Sequence, residues 1–245
     1  MTLQGQVALV TGASRGLGLA ISRSLAAENV RVALLARAGA ELDDAANQVA
    51  AVSDAIAVRA DVTQEGEVAA AVAEAVRHFG RLDIVVLNAG TWQGAPIQDT
   101  SEAQWDQLLD LNLKGSFLAL KHAIPHLAQR NGGTVVGIGS IGGWVGQANS
   151  AAYAASKWGL RGLLESAANE LRPHGIRVSM VHPHNMNSAG KRIEAGSDER
   201  AHQLENADVA SLVTWICGAP EHVQVGNATI WPRAAGIRSY ELPGH

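Results

Sequence analysis

Two side chains four residues apart, Tyr153 and Lys157, are of the types needed for proton transfer. On a helix, positions i and i+4 lie on one face, so the phenol and the ammonium would be neighbours. An ordinary tyrosine ionises near about pH 10, so it needs a nearby cation to exchange protons at neutral pH. Such a pair alone is more often two surface side chains, and the rest of the chain must decide.

A third candidate, Ser140, lies thirteen positions before Tyr153. It follows the apolar run 134–139, which is typical of a buried strand. Open parallel sheets place their active sites at the carboxyl ends of strands. Together the three side chains predict a site for acid–base chemistry.

A glycine-rich turn lies near the start of the chain, between a predicted strand at 6–10 and a helical pattern. Its spacing is G-x-x-x-G-x-G. Glycines in this context permit the tight turn, the approach of a pyrophosphate to the backbone, and close packing of the helix on the strand. Many glycine-rich turns bind nothing, but this one predicts a dinucleotide site. Its candidate residues are Gly12, Ser14, Arg15, Gly16, Leu17 and Gly18.

The residue after the predicted second strand, 30–36, bears on the choice of cofactor. In dinucleotide-binding units an acid at this point accepts from the adenosine ribose and favours NAD, whereas an arginine can hold a 2′-phosphate. Here Arg37 follows the strand, and no acid occurs before Glu41. Each of Arg37 and Arg15 could be an ordinary solvated side chain, but the two together favour NADP.

Strand and helix patterns alternate along the whole chain. This alternation predicts βαβ units, a parallel sheet and helices on its faces, which is an α/β fold. No linker or repeat divides the chain, so 1–245 is expected to be a single domain. The polar segment 189–206 is predicted to be a substrate flap. The remaining predicted strands are 55–58, 82–87, 134–139, 176–181 and 223–231.

Composition excludes several classes of function. The 245 residues carry 19 basic and 23 acidic side chains, a net charge of -4, which gives no electrostatic case for nucleic acid. No run of about 18 apolar residues could span a membrane. The single cysteine, Cys217, and the lack of a secretory signal pattern at the N-terminus lead us to expect a cytoplasmic protein. No metal site is predicted.

A set of motifs resembles the short-chain dehydrogenase/reductase family in both order and spacing, over essentially the whole chain. The resemblance implies a single-domain, Rossmann-type, doubly wound sheet of seven parallel strands. It also implies hydride transfer to or from a nicotinamide cofactor. The motifs are Thr11-Gly-x-x-x-Gly-x-Gly18, Asp61-Val62, Asn88-Ala-Gly90, Asn112, Ser140, Tyr153-x-x-x-Lys157 and Pro183.

The resemblance assigns catalytic roles to four residues. Tyr153 would donate a proton to a carbonyl oxygen in reduction, or remove one from an alcohol in oxidation. Lys157 would lower the pKa of Tyr153 and bind the nicotinamide ribose. Ser140 would hold the substrate oxygen, and Asn112 would hold the helix geometry and a water of the proton relay.

The resemblance also assigns cofactor contacts. Asp61 would contact the adenine amino group, and Val62 the adenine ring through its backbone. Asn88, Ala89 and Gly90 would line the adenosine side. The residues placed near the nicotinamide are Tyr153, Lys157, Pro183, Met186 and Ser188.

Three bulky side chains are candidates for the substrate cleft. Trp92 and Trp144 follow the predicted strand ends, and His184 stands where the family usually has glycine after Pro183. Aromatic walls favour flat, hydrophobic ligands. The leading hypothesis is therefore an NADP-dependent carbonyl reductase or alcohol dehydrogenase acting on a hydrophobic, ring-bearing ketone or secondary alcohol.

Two other functions stay open at this point. One is a 3-oxoacyl-acyl-carrier-protein reductase, which needs a basic docking surface; Arg130, Lys191 and Arg192 are candidates. The other is a regulator that binds NADP without turnover. The crowded apolar patterns at 101–129 and 151–171, together with the resemblance, predict a homotetramer, with Trp158 as a possible contact.

Overall fold

A seven-stranded parallel sheet forms the centre of the protein. The computed structural model describes residues 3–37, 39–130, 132–187, 197 and 201–235. The strands are β1 (Val7–Thr11), β2 (Arg31–Ala36), β3 (Ala55–Arg59), β4 (Ile84–Leu87), β5 (Gly133–Ile138), β6 (Ile176–Pro183) and β7 (Asn227–Ile230). Their spatial order is β3-β2-β1-β4-β5-β6-β7. The predicted doubly wound, Rossmann-type α/β fold is confirmed.

Helices cover both faces of the sheet. They are α1 (Gly16–Ala27), α2 (Ala40–Ala50), α3 (Glu65–Phe79), α4 (Glu102–Leu109), α5 (Gly115–Ala128), α6 (Ala151–Leu171) and α7 (Asn206–Gly218). Within β1, Val7 and Leu9 pack with α3, α5 and α6, whereas Ala8 and Val10 pack with α1, α2 and α7. Because both faces are buried, the strands read as continuous apolar runs rather than alternating ones.

The strand order reverses between β1 and β4. From β1 the chain first builds outward through β2 and β3, and then returns to add β4 to β7 on the other side. Helices of the two halves therefore diverge at this point, which leaves a crevice outside the carboxyl ends of β1 and β4. The glycine-rich turn follows β1, and 88–90 follows β4.

A π-helical turn at Asp110–Lys114 joins α4 to α5. The sequence predicted two helical patterns in this region, and they are two parts of one helical rod. A capping box begins the rod, with the Ser101 hydroxyl accepting from the Gln104 backbone N–H at 3.2 Å. A π turn adds one residue to the helical repeat and is often found at functional sites. Here it contains the buried Asn112.

Arg177 of β6 fastens the C-terminal part of the sheet. Its guanidinium donates to the carbonyls of Cys217 (3.1 Å), Ala219 (2.9 Å) and Val223 (3.1 Å), and to the Thr134 hydroxyl (2.8 Å). The planar fork of an arginine suits several acceptors at once. The contact with Val223 explains why β7 begins four residues later than the sequence predicted, at Asn227.

Candidate active site

The structure brings Ser140, Tyr153 and Lys157 together at the carboxyl end of β5. Tyr153 and Lys157 lie one turn apart on α6, with the Lys157 Nζ 5.9 Å from the centroid of the Tyr153 ring. Ser140 lies two residues after β5, and its Oγ accepts from the Gly142 backbone N–H at 3.1 Å. The Ser140 side chain lies close enough to the Tyr153 phenol to lower its pKa. This grouping can hold an oxygen atom and exchange a proton with it.

Burial raises the pKa of the Tyr153 phenol above its ordinary value, and the hydrogen bond from Ser140 offsets only part of that rise. We expected Lys157 to lower this pKa. That effect of Lys157 stays a prediction, and in the chain by itself loss of hydration around the phenol is the largest effect on this pKa. Tyr153 therefore keeps its proton at neutral pH, which suits the donation of a proton to a substrate.

Lys157 is buried, and it forms no ion pair with an acidic side chain in the part of the chain that the structure describes. Its Nζ donates to the Ile138 carbonyl at 2.8 Å, and burial lowers its pKa from 10.5 to about 8. Gly90 leaves room beside it, since a Cβ at that position would lie 3.6 Å from the Lys157 Nζ and 3.0 Å from the Asn112 Oδ1. The ammonium therefore retains most of its charge at pH 7 in a setting of low polarity, where it acts strongly on nearby groups.

Asn112 joins the loop after β4 to α6. Its Oδ1 accepts from the Thr91 N–H at 2.8 Å, and its Nδ2 donates to the Thr91 carbonyl and to the Ser156 hydroxyl, both at 3.0 Å. The π turn directs this side chain toward those partners. The amide thus fixes the floor of the site, while contact with a relay water stays a prediction.

The glycine-rich turn has the form of a phosphate site. Gly12 and Gly16 adopt left-handed backbone angles, with φ of 64° and 57°, which disfavour other residues. A Cβ on Gly12 would lie 2.9 Å from the Ala89 Cα, whereas a Cβ on Gly16 would meet nothing within 4 Å. No side chain caps the first turn of α1, so its N–H groups can serve an anion. The turn fits the pyrophosphate of a dinucleotide.

Asn88 braces this turn from the neighbouring strand. Its Nδ2 donates to the carbonyls of Thr11 (2.8 Å) and Gly12 (3.2 Å). The Thr11 hydroxyl in return accepts from the backbone N–H groups of Asn88 (2.9 Å) and Ala89 (3.0 Å). Sequence reasoning placed Asn88 at the adenosine and missed this brace. The sequence carried a sign of this contact, because Thr11 ends β1 and Asn88 directly follows β4, and the two strands are adjacent and parallel.

Comparison with known proteins agrees with this geometry. The family described as short chain dehydrogenase matches residues 6–198. This match covers well over half of the chain. The chain belongs to the short-chain dehydrogenase/reductase family.

Relatives of this short-chain dehydrogenase span nearly its full length. Trans-4-hydroxycyclohexanecarboxylate dehydrogenase of Sinomonas cyclohexanicum is 34% identical over 231 residues, 90% of this chain and 89% of that protein. A crystal structure of a metagenomic short-chain oxidoreductase in complex with NADP is 35% identical, with a TM-score of 0.82 over 95% of this chain and 99% of that one. A dehydrogenase/reductase from Sinorhizobium meliloti 1021 is 31% identical, with a TM-score of 0.85 over 96% and 98% of the two chains.

The two arginines at the expected ribose end differ in their surroundings. Arg37 is exposed and has no ion-pair partner among the residues that the structure describes. Arg15 lies 3.7 Å from the Glu41 carboxylate, and both side chains are largely exposed. Exposed ion pairs are weak, so Arg15 can leave Glu41 for a phosphate. Arg37 is therefore the better placed of the two for a 2′-phosphate.

The residues at the expected adenine position are held locally. The Asp61 Oδ1 accepts from the backbone N–H of Thr63 at 2.9 Å and from its hydroxyl at 2.8 Å, so this oxygen closes a tight turn before α3. Val62 is buried against Gly115, where a Cβ would come within 2.8 Å of it. Contacts of Asp61 and Val62 with adenine stay predictions.

At the nicotinamide end, Pro183 closes β6, and Met186 forms a parallel bridge with the buried Leu204. Ser188 and most of the predicted flap at 189–206 lie outside the described residues. The end of that range is described: Leu204 is part of the bridge, and Asn206 begins α7. The role of the segment as a substrate flap stays a prediction.

The three predicted cleft residues differ in their contacts. Trp92 is 62% exposed in the loop after β4 and stays a candidate for the cleft wall. The Trp144 ring instead lies 3.6 Å from the Arg161 guanidinium carbon and meets His182 edge-on, with centroids 5.4 Å apart. These contacts hold the Trp144 ring in place, and its role in the cleft stays a prediction. His184 stacks on Trp231, with ring centroids 5.1 Å apart.

Among the described residues, no helix combines the length and apolar character needed to traverse a bilayer. Within the same residues, no three or more His, Cys, Asp or Glu side chains are grouped so that they could hold a metal ion.

Proposed function

We propose that this protein is an NADP(H)-dependent oxidoreductase that interconverts a hydrophobic, ring-bearing ketone and the matching secondary alcohol. The observation that carries the proposal is the cluster of Ser140, Tyr153 and Lys157 at the sheet edge that also holds the glycine-rich turn. A buried phenol hydrogen-bonded to a serine, beside an unpaired ammonium, is suited to proton exchange with a substrate oxygen.

The protein contributes position and proton transfer, while the bound nicotinamide supplies the hydride chemistry. In reduction, the Ser140 hydroxyl holds the carbonyl oxygen and the Tyr153 phenol donates its proton to that oxygen. The buried Lys157 ammonium then stabilises the phenolate that remains. In oxidation, the phenolate removes the proton from the alcohol. The raised pKa of Tyr153 favours the acid role, and hence reduction, at neutral pH.

The preference for NADP(H) is expected to depend on Arg37. Its guanidinium has no competing partner in the described part of the chain, and the 35% identical metagenomic relative was crystallised with NADP. A charge-assisted contact with phosphate contributes about 1.5–3 kcal/mol, so NADPH should be preferred by about tenfold or more in kcat/KM. Arg37→Asp should reverse this preference.

Arg37→Gln is the matched control, because it removes the cation without adding an acid for the ribose hydroxyls. It should lose the preference for NADPH without gaining activity with NADH. Initial rates with both cofactors at several concentrations measure the three kcat/KM ratios. Equal kcat/KM for the two cofactors in the unmodified enzyme would contradict the assignment.

The substrate class rests on two observations. Trp92 presents an exposed indole at the carboxyl edge of the sheet, and the 34% identical relative is named for a substituted cyclohexane. Oxidation of NADPH should be measured with an aryl ketone, a cyclic ketone, a linear acyl thioester and a keto-sugar. We expect the ring-bearing ketones to give the highest kcat/KM. A clear preference for the keto-sugar would refute the proposal.

Trp92→Ala tests the cleft wall directly. Losing the indole should lower kcat/KM for the aryl ketone about twofold to twelvefold relative to a small linear ketone, since an aromatic pair contributes about 0.5–1.5 kcal/mol beyond area. Trp215→Ala is the matched control, because Trp215 is equally exposed, at 62%, but lies on α7. Trp215→Ala should leave the ratio of kcat/KM for the aryl ketone to that for the linear ketone unchanged. Equal effects of the two substitutions would mean that Trp92 does not line the cleft.

The same four compounds distinguish the two alternative functions from the proposed one. A 3-oxoacyl-acyl-carrier-protein reductase would favour the acyl thioester. Of its candidate docking residues, Arg130 lies 3.9 Å from Asp83, and Lys191 and Arg192 are outside the described residues. A regulator would bind NADPH and turn over none of the four compounds. The assembled cluster of Ser140, Tyr153 and Lys157 speaks against a regulator, which needs no proton donor.

We also propose that copies of the chain associate into a homotetramer in the cytoplasm. Exposed aromatic side chains occur on three neighbouring helices: Trp105 on α4 (40%), Phe117 on α5 (44%) and Trp158 on α6 (50%). Gly162, one turn after Trp158, has open space where a Cβ would stand. Large exposed apolar side chains on neighbouring helices are typical of an interface between subunits. Light scattering of the dilute enzyme measures the assembly.

A further inference from the structure

His182 lies directly behind Ser140. The register of β5 with β6 pairs Ile138 with Val181, so the residues after this pair, Gly139 and His182, are side by side. His182 is fully buried, and its Nδ1 lies 3.2 Å from the Ser140 carbonyl oxygen. A Cβ on Gly139 would come within 2.5 Å of that Nδ1. The glycine before Ser140 therefore admits the imidazole.

Hydrogen bonding fixes which nitrogen of the ring carries hydrogen toward Ser140. A carbonyl oxygen only accepts, so Nδ1 must be the donor. On the other side, Nε2 lies 2.8 Å from the Asn227 amide. The atom that faces Nε2 is the Asn227 Oδ1, which accepts when the ring is protonated. When the ring is neutral, the amide can turn its NH2 toward Nε2, and it then gives up its contact with Glu165. The bond to Ser140 persists in both forms.

A second layer of side chains holds this arrangement. Asn227 also reaches the Glu165 carboxylate, at 3.3 Å, and that carboxylate accepts from the Arg161 Nε at 2.7 Å. The Arg161 guanidinium stacks on Trp144, whose edge meets the His182 ring. The imidazole is thus bounded by β7, by α6 and by the loop after Ser140, and it cannot rotate away from the serine carbonyl.

We propose that His182 is a positioning residue for Ser140, an inference that rests on the proposed oxidoreductase function. The Ser140 carbonyl accepts from His182 and also from the Gly143 N–H, at 2.9 Å. Two donors on one carbonyl fix the plane of that peptide and hence the direction of the Ser140 Cα–Cβ bond. The hydroxyl is thereby aimed at the Tyr153 phenol and at the substrate oxygen.

Three substitutions at His182 separate the two ring nitrogens. The amide nitrogen of Asn can take the place of Nδ1, that of Gln reaches the place of Nε2, and Phe keeps only the ring. His182→Asn should keep kcat within about threefold. His182→Gln and His182→Phe should lower kcat by about 10–100-fold, because small displacements of a reacting group are costly. The KM for NADPH should change by less than about twofold in all three.

A double-mutant cycle with Ser140→Ala distinguishes positioning from general support of the fold. When the serine hydroxyl is absent, His182 has no hydroxyl to position. His182→Phe should therefore cause little further loss of kcat in the Ser140→Ala background. Equal losses in both backgrounds, or equal kcat for the Asn and Phe variants, would overturn the inference.

A titration gives a readout that needs no turnover. The chain has two tyrosines, Tyr153 and Tyr240, so Tyr240→Phe leaves Tyr153 as the single phenol for NMR. Because the hydrogen bond from Ser140 lowers the pKa of Tyr153, His182→Gln should raise this pKa as Ser140→Ala does, and His182→Asn should not. An unchanged pKa in the Gln variant would refute the role of His182. Lack of turnover with any substrate would refute only the proposed function.

Discussion

Tyr153→Phe should lower kcat for ketone reduction by about 10²–10⁴-fold, the usual contribution of general acid–base catalysis. The change removes the proposed proton donor and keeps the shape of the ring. The affinity for NADPH, measured by fluorescence titration, should change less than about twofold, because the phenol is proposed to act on the substrate. Near-normal turnover in this variant would mean that another group donates the proton.

The two directions of the reaction should differ in their dependence on pH. Reduction needs the protonated phenol and alcohol oxidation needs the phenolate, and burial raises the pKa of Tyr153. Oxidation should therefore accelerate as pH rises above neutrality, while reduction stays level until the phenol begins to ionise. Oxidation that is independent of pH between 6 and 10 would contradict the assignment.

Lys157→Met should stabilise the protein while it abolishes activity. Burial lowers the pKa of Lys157 from 10.5 to about 8, so keeping it charged at pH 7 costs about 3 kcal/mol. Loss of the bond to the Ile138 carbonyl offsets about 1 kcal/mol of the gain. The net gain of about 2 kcal/mol should raise Tm by about 5 °C for a domain of this size, as measured by calorimetry without cofactor.

The stability gain should depend on pH with a defined sign. A lysine whose pKa falls on folding binds fewer protons in the native state, so the stability of the unmodified protein rises with pH between about 8 and 10.5. The gain from Lys157→Met is therefore complete below pH 8 and shrinks above it. Lys114→Met is the control, since that exposed lysine pairs with Asp110 at 3.4 Å and should matter little. A destabilised Lys157→Met variant would refute this account.

The sheet was largely readable from the sequence because a parallel strand buried on both faces gives an unbroken apolar run. The runs before Thr11, Asn88 and Ser140 each became a strand whose end carries part of the site. The helical rod at 102–128 was less readable. A π turn divides its apolar residues, and the residue that the turn inserts shifts the helical period. The amino-acid composition of the segment does not reveal this shift.

The grouping of Ser140, Tyr153 and Lys157 was predictable, because Tyr153 and Lys157 are joined by helical spacing and Ser140 by its place after a strand. The contacts that support this group were not predictable. His182 lies 42 positions from Ser140, and Asn227 a further 45. Their meeting depends on the register of β5, β6 and β7, which local patterns do not specify. For the same reason the contact of Trp144 with Arg161 of α6 was not foreseen.

The pairing of Leu204 with the chain just beyond β6 has a consequence for how the enzyme can change. Leu204 accepts from the Asn187 N–H and donates to the Asn185 carbonyl, both at 2.8 Å. Two points seventeen positions apart are thereby clamped side by side. Whatever length the intervening stretch has, β6 and α7 stay in place, and a longer connection costs little extra entropy. The stretch between Asn187 and Leu204 can therefore be exchanged between relatives without displacing β6 or α7. Such exchanges offer a route to new activities.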